Sequence, residues 1–165
     1  MSKAKAGLAE AELKLAQSEK EYTQNVVDEL RKVQAQLAEA LEADRTLIGE
    51  LLGTNTIRTL SHCAGGAPVE GLTYSLPGTP CANVVGQRTC VYPEGVAPLF
   101  PEDAALAQMG AEAYVGVPLF DGEGAALGLI AAVYTRPIAA QEEQLATAVI
   151  RTFADRTAAE IERRR

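Results

Sequence analysis

Tryptophan is absent from the chain, and aromatic residues make up only 5% of it. Stacking platforms for nucleobases are therefore scarce. Basic residues are in deficit: 15 Lys and Arg stand against 22 Asp and Glu, a formal net charge of -7. Binding to nucleic acid or to an anionic membrane surface needs a basic face, so neither partner is expected. His62 is the single histidine, and there is no Gly-x-Ser-x-Gly, which leaves little for a hydrolase. No apolar signal core precedes the cysteines, and three of them is an odd number, a poor basis for a secreted disulfide framework. The longest apolar run, Ala125 to Tyr134, is broken by Gly128 and is too short to span a bilayer. The expectation is a cytoplasmic protein without membrane insertion, its thiols reduced.

What is present reads as one domain of ordinary soluble composition, 47% hydrophobic and 22% charged over 165 residues. Residues 1–43 are rich in helix formers. Val26, Leu30, Val33, Leu37 and Ala40 form a stripe with the spacing of a coiled coil or amphipathic helix. The stripe decays before Tyr22, so 1–21 reads as a helical lead-in and 22–42 as the helix that buries a face. Gly53-Thr-Asn55 is a turn between strands Thr46–Leu52 and Thr56–Cys63. A turn-rich middle follows, with a short strand at Leu72–Ser75 and helical turns at Cys81–Val85, capped by Thr79 with Pro80 at the first position. Cys90–Tyr92 reads as a strand, and Glu102–Met109 as a short helix closed by Gly110. Ala113–Phe120 and Ala126–Tyr134 flank the turn Asp121–Gly124 and are apolar on both faces, which places this hairpin centrally in a sheet. A last helix over 141–164 carries the stripe Ala146, Ile150, Phe153, Thr157 and Ile161. Antiparallel pairs with helices at both ends predict an α+β fold.

This order resembles a GAF domain, the small-molecule sensing module of bacterial signalling proteins. The residues that carry the resemblance include Ala43–Leu51, Leu76-Pro-Gly-Thr-Pro-Cys-Ala-Asn-Val-Val85, Cys90-Val-Tyr-Pro-Glu-Gly-Val96 and Leu99-Phe-Pro-Glu-Asp103. Gly110–Leu119, with its Tyr-x-Gly-x-Pro-Leu, and Leu127–Val133 complete them. The Gly-Thr-Pro-Cys element points to the subset found beside histidine kinases. The resemblance implies a central antiparallel sheet of five or six strands. The terminal helices would lie on one face, with an irregular cover on the other that roofs a cavity. It implies a domain over 22–160 and a linker helix starting at 161–165. It also implies a parallel homodimer through the terminal helices, joined in a longer protein to an output module such as a histidine kinase or cyclase, in a two-component system or similar pathway.

Cys81 and Cys90 have two readings. A thiol switch would need their Cα atoms within about 7 Å. Alternatively they are small buried hydrophobes in the cavity wall, as free cysteines commonly are, and this is the preferred reading. A Cys₃His zinc set with Cys63 and His62 fails because adjacent side chains on a strand face opposite ways. Bilin attachment, which in some GAF relatives uses a Cys-His pair, is not expected from the His-Cys order here. The relatives that reduce free methionine sulfoxide carry a further essential cysteine just before the strand matching Ala113–Phe120, and residues 101–112 have none. Cyclic-nucleotide-binding relatives carry an Asn-Lys partner missing here. The expected site is therefore a ligand-binding wall of Cys81, Val85, Cys90, Tyr92, Phe100 and Tyr114, with no catalytic residues, no metal and an unidentified small molecule. The alternatives are a thiol redox sensor or sulfoxide reductase using Cys81 and Cys90, and a ligand-free dimerisation and relay module.

Overall fold

The apolar stripes at the two ends form the longest elements in the computed structural model, which describes residues 3–164: α1 (Lys3–Leu41) and α4 (Ala140–Arg164). The expected lead-in at 1–21 and linker at 161–165 thus lie partly outside the described residues. Between the helices run β1 (Arg45–Leu52), β2 (Thr56–Ala64), β3 (Ala67–Pro68), β4 (Thr73–Ser75), a 3₁₀ turn (Pro80–Asn83) and β5 (Cys90–Tyr92). Then come α2 (Val96–Leu99), α3 (Ala104–Gln108), β6 (Ala113–Phe120) and β7 (Ala126–Tyr134). The strands form one antiparallel sheet in the order β3-β2-β1-β7-β6-β5, with β4 also paired to β2. With the two short ribbons β3 and β4 on the β2 edge, the count reaches seven. The helix α2 and the ribbon β3 have no counterpart in the sequence reading, and the expected Glu102–Met109 helix is shorter, Ala104–Gln108.

Strand alternation divides the side chains into two cores. Ile48, Val115, Val117, Ile130 and Ala132 join Leu30, Leu37, Ile150 and Ile161 of the helices. Ile57, Tyr114, Leu129, Ala131 and Val133 join Cys81, Val84, Val96 and Leu106 of the cover. Fully burying each large aliphatic side chain contributes about 1.5–3 kcal/mol, so each layer is held by several such residues. Register shifts opposite Ile48/Gly49 and Leu119/Phe120 leave one extra residue on β2 and one on β7, Leu60 and Leu127. Both leucines join the helix-side core. Gly128 is required by close approach: a Cβ there would lie 1.9 Å from the Gly49 carbonyl oxygen.

The helix stripes hold with one correction. Val26, Leu30, Val33 and Leu37 are buried, but the next buried residue is Leu41, and Ala40 is exposed. The helical period of 3.6 makes that last step four residues instead of three. The chain leaves α1 through Glu42 at φ 53°, a left-handed residue that stops the helix before β1.

Gln34 lies inside this layer, 0% exposed. Its Nε2 donates to the Thr46 carbonyl and, at 3.1 Å, to Thr46 Oγ1, while Ser61 Oγ donates to its Oε1. One amide thus ties α1 to both β1 and β2. Glu50, 3% exposed, pairs across the strands with Arg58, whose Nε donates to it at 3.0 Å. Among the described residues, Thr157 Oγ1 is the one buried side-chain oxygen or nitrogen without a hydrogen-bond partner.

Two substitutions should act with opposite sign. Gln34→Ala strands the Ser61 and Thr46 groups and opens a void, and should cost about 2–4 kcal/mol, against near zero for exposed Gln36→Ala. Thr157→Val removes the orphaned hydroxyl at constant shape and should stabilise by about 1 kcal/mol. Urea unfolding measures both.

Candidate functional site

The cover-facing side chains of β1, β7 and β6 lie in rows across the sheet. Arg45, Val133, Tyr114 and Tyr92 are successive partners in one row, and His62, Leu47, Ala131, Gly116 and Cys90 in the next. The middle of the second row is small, and above it the cover does not fill the space. A cavity of about 370 Å³ remains there. Leu47, Ala131 and Val133 form its floor, Leu72, Tyr74, Pro80 and Cys81 one wall, and Asp103, Leu106 and Met109 another. Arg45 and His62 close the end toward β2.

The cover is pinned to the sheet by a thiol between two phenols. Tyr74 Oη donates to Cys81 Sγ at 3.3 Å, and Cys81 Sγ lies 3.1 Å from Tyr114 Oη. Tyr114 lies along its own strand: a Cβ at Gly116 would sit 2.7 Å from its hydroxyl and 2.8 Å from Val84, so glycine is what lets the ring and the cover settle there. Burial pushes the Cys81 thiol up, against the lowering effect of the Tyr114 and Tyr74 hydrogen bonds. Burial likewise raises Tyr114 and Tyr74. The Asp103 carboxyl is raised by burial, opposed by backbone N–H groups of Leu106 and Ala105. The 3₁₀ turn begins at Pro80 as expected, but Thr79 makes no side-chain cap; its hydroxyl donates to the Leu76 carbonyl at 2.7 Å.

Of the six expected site residues, Cys81 and Tyr114 line the cavity. Tyr92, Phe100, Cys90 and Val85 are packed beside it in the same core, outside the lining. Tyr92 meets Phe100 edge-on at 5.2 Å and lies 6.0 Å from Tyr114, its hydroxyl taking a hydrogen bond from Asn83. Cys90 points its thiol at the Asn83 and Arg88 carbonyls, 3.5 and 3.8 Å away. The cavity is thus displaced from the expected wall toward β1 and β2.

Sequence reading missed Arg45, His62, Tyr74, Asp103 and Met109. Arg45 stands one residue before the strand expected from Thr46, and His62 was hidden because the extra residue at Leu60 shifts the face of everything after it on β2. His62 and Cys63 do face opposite ways: His62 lines the cavity, whereas Cys63 is bonded to Thr46 on the helix side and raised by burial. The imidazole Nδ1 lies 3.4 Å from the Glu70 carbonyl. Its pKa is lowered from 6.5, chiefly by burial and further by the Arg45 charge, with the Glu70 carbonyl acting the other way.

The GAF domain family model matches residues 25–161, where the sequence reading drew 22–160. A search of curated proteins finds no match. Among solved structures, the GAF domain of A. aeolicus nlh2 in an inactive state superposes with a TM-score of 0.60 at 17% identity, covering 89% of this chain and 99% of that one. A far-red cyanobacteriochrome photoreceptor gives 0.61 at 12% identity, covering 94% and 96%. The phycoerythrobilin-bound GAF domain of a cyanobacterial phytochrome gives 0.61 at 13%, covering 88% and 95%. At these identities the likeness is one of fold.

A histidine held neutral in the fold and free to protonate when unfolded makes stability fall with pH. The contribution is complete above the ordinary value of 6.5 and is lost as pH drops toward the lower folded value. Urea unfolding at about pH 7.5 and about pH 5.5 should show a larger loss for the native sequence than for His62→Gln.

Proposed function

The chain is a member of the GAF domain family, and from that premise we propose that it is a sensory domain. It takes a small molecule into the cavity between the sheet and the cover, and passes occupancy to α1 and α4. The observation that carries this reading is the open space of about 370 Å³ between Leu47 and a cover built of short elements, with the Cys81 contacts in its wall. That size suits a compact organic ligand. Two of the structural neighbours are phycocyanobilin-bound and phycoerythrobilin-bound GAF domains, which supports a small-molecule site in this architecture. A bilin itself gains no support, because Cys81 is the one thiol in the lining and two phenols engage it.

The relay runs through β1. Arg45 and Leu47 reach the cavity, while Thr46 and Ile48 of the same strand contact the helix layer, Thr46 directly through Gln34. A ligand that favours one setting of β1 therefore favours one setting of α1; a ligand indifferent to both would transmit nothing. Leu8, Leu13 and Leu15 on α1 and Leu145 on α4 are exposed, which supports assembly of the helices with a second copy. A histidine kinase or cyclase joined in a longer protein would read the change.

The thiol alternatives gain nothing from the geometry. Burial raises Cys81, and a protonated thiol is a weak nucleophile. Cys90 lies outside the cavity lining. A ligand-free relay is disfavoured by the unfilled space.

Native mass spectrometry of freshly purified protein tests the proposal. The expected species is a dimer with a small molecule on each chain. Ala131→Leu, which extends a side chain from the cavity floor, should keep the dimer and the circular dichroism spectrum and lose the small molecule. A monomer contradicts the helix assembly, and a dimer of bare chains contradicts the ligand.

A further inference from the structure

The cavity has a polarity that its volume alone does not convey. At its β2 end stand, among the described residues, an arginine without an ion-pair partner and a histidine whose second ring nitrogen is free. The Arg45 guanidinium makes no ion pair or hydrogen bond among the described residues, although the chain carries an excess of acid. His62 is 7% exposed, and only its Nδ1 meets a protein acceptor, the Glu70 carbonyl; Nε2 has no partner among the described residues. The two are close enough for the Arg45 charge to bear on the imidazole. With Nδ1–H given to the Glu70 carbonyl, Nε2 of the neutral ring is a lone pair and donates to an anion only when the ring takes up a proton beside it; a guanidinium fork matches a carboxylate in shape and charge. The far end is opposite in sign. Glu102 and Asp103 line it, and the Asp103 charge bears on Tyr74 and Cys81. Between the ends the surface is apolar: Leu47, Ala131, Val133, Leu106 and Met109.

We infer that the ligand class is a small organic monocarboxylate, its carboxylate seated on Arg45 beside the His62 ring and its apolar body lying over Leu47 and Val133 toward Met109. This rests on the reading of the cavity as a small-molecule site and specifies its chemistry. The acidic far end turns away a second carboxylate, so dicarboxylates and phosphorylated ligands are disfavoured. The neutral amide of the same acid fills the same space but leaves the Arg45 charge unmatched.

A six-carbon series tests this at constant ionic strength: hexanoate, hexanamide and adipate, titrated into the full chain and followed by backbone amide NMR shifts up to about 20 mM. Hexanoate should shift amides of Ala131, Val133 and Leu47 and bind at least about tenfold more tightly than either comparator. Arg45→Gln should remove that preference while leaving the melting temperature unchanged, and His62→Gln should reduce it. If hexanamide binds in the cavity as well as hexanoate does, or Arg45→Gln keeps the preference, the carboxylate inference is overturned while the cavity reading stands. If adipate binds best, the polarity argument is overturned. If no member of the series shifts the cavity amides, both the inference and the reading of an accessible cavity fall.

Discussion

The hairpin β6–β7 is apolar on both faces, and a sheet built around it cannot leave either face in water. Every other layer answers that constraint. One face takes two long helices, whose apolar stripes cover most of it. The other takes a chain rich in glycine and proline, which supplies only a 3₁₀ turn and helices of four and five residues. Short elements cover a sheet less completely than long ones, because their backbone turns must reach solvent. The cavity is where that second covering fails to close over Leu47, Ala131 and Val133.

The two coverings are also fastened differently. On the helix face a buried amide, Gln34, spans two strands with three hydrogen bonds. On the cover face backbone bonds such as Thr59 with Leu72 and Val96 with Glu112 hold the margins, and the side-chain tie at the cavity wall is a thiol shared between Tyr74 and Tyr114, a weaker acceptor and donor than oxygen or nitrogen. The asymmetry suits a domain in which one layer holds its place and the other yields to a guest. Strand β1 belongs to both layers, since alternate side chains serve each, and its Thr46 lies between Leu47 in the cavity and Gln34 on the helix.

Much of this was legible in the sequence, for particular reasons. The stripes from Val26 to Leu37 and from Ala146 to Ile161, the glycine turns and the two-sided apolar hairpin depend on local periodicity, and the architecture follows from them. The site was less legible because it depends on register. Cys81 and Tyr114 could be placed, being carried by the Gly-Thr-Pro-Cys and Tyr-x-Gly-x-Pro elements. Tyr92 and Phe100 were expected beside the ligand, but their rings meet edge-on next to Tyr114, outside the cavity lining. His62 went unnoticed because one extra residue at Leu60 decides which face it takes, and no local pattern announces such a bulge; Arg45 fell one residue before the strand expected from Thr46. Ala40 was placed in the stripe for a related reason: a three-four alternation and a 3.6 period part company after two turns.

Amide hydrogen exchange, with and without saturating hexanoate in the cavity, tests the coupling most directly. The account predicts slowed exchange in the cover over residues 72–110, in β1, and across the sheet in α1 around Gln34. Slowing confined to the cover, with β1 and α1 unchanged, would contradict the claim that occupancy of this cavity reaches the helices.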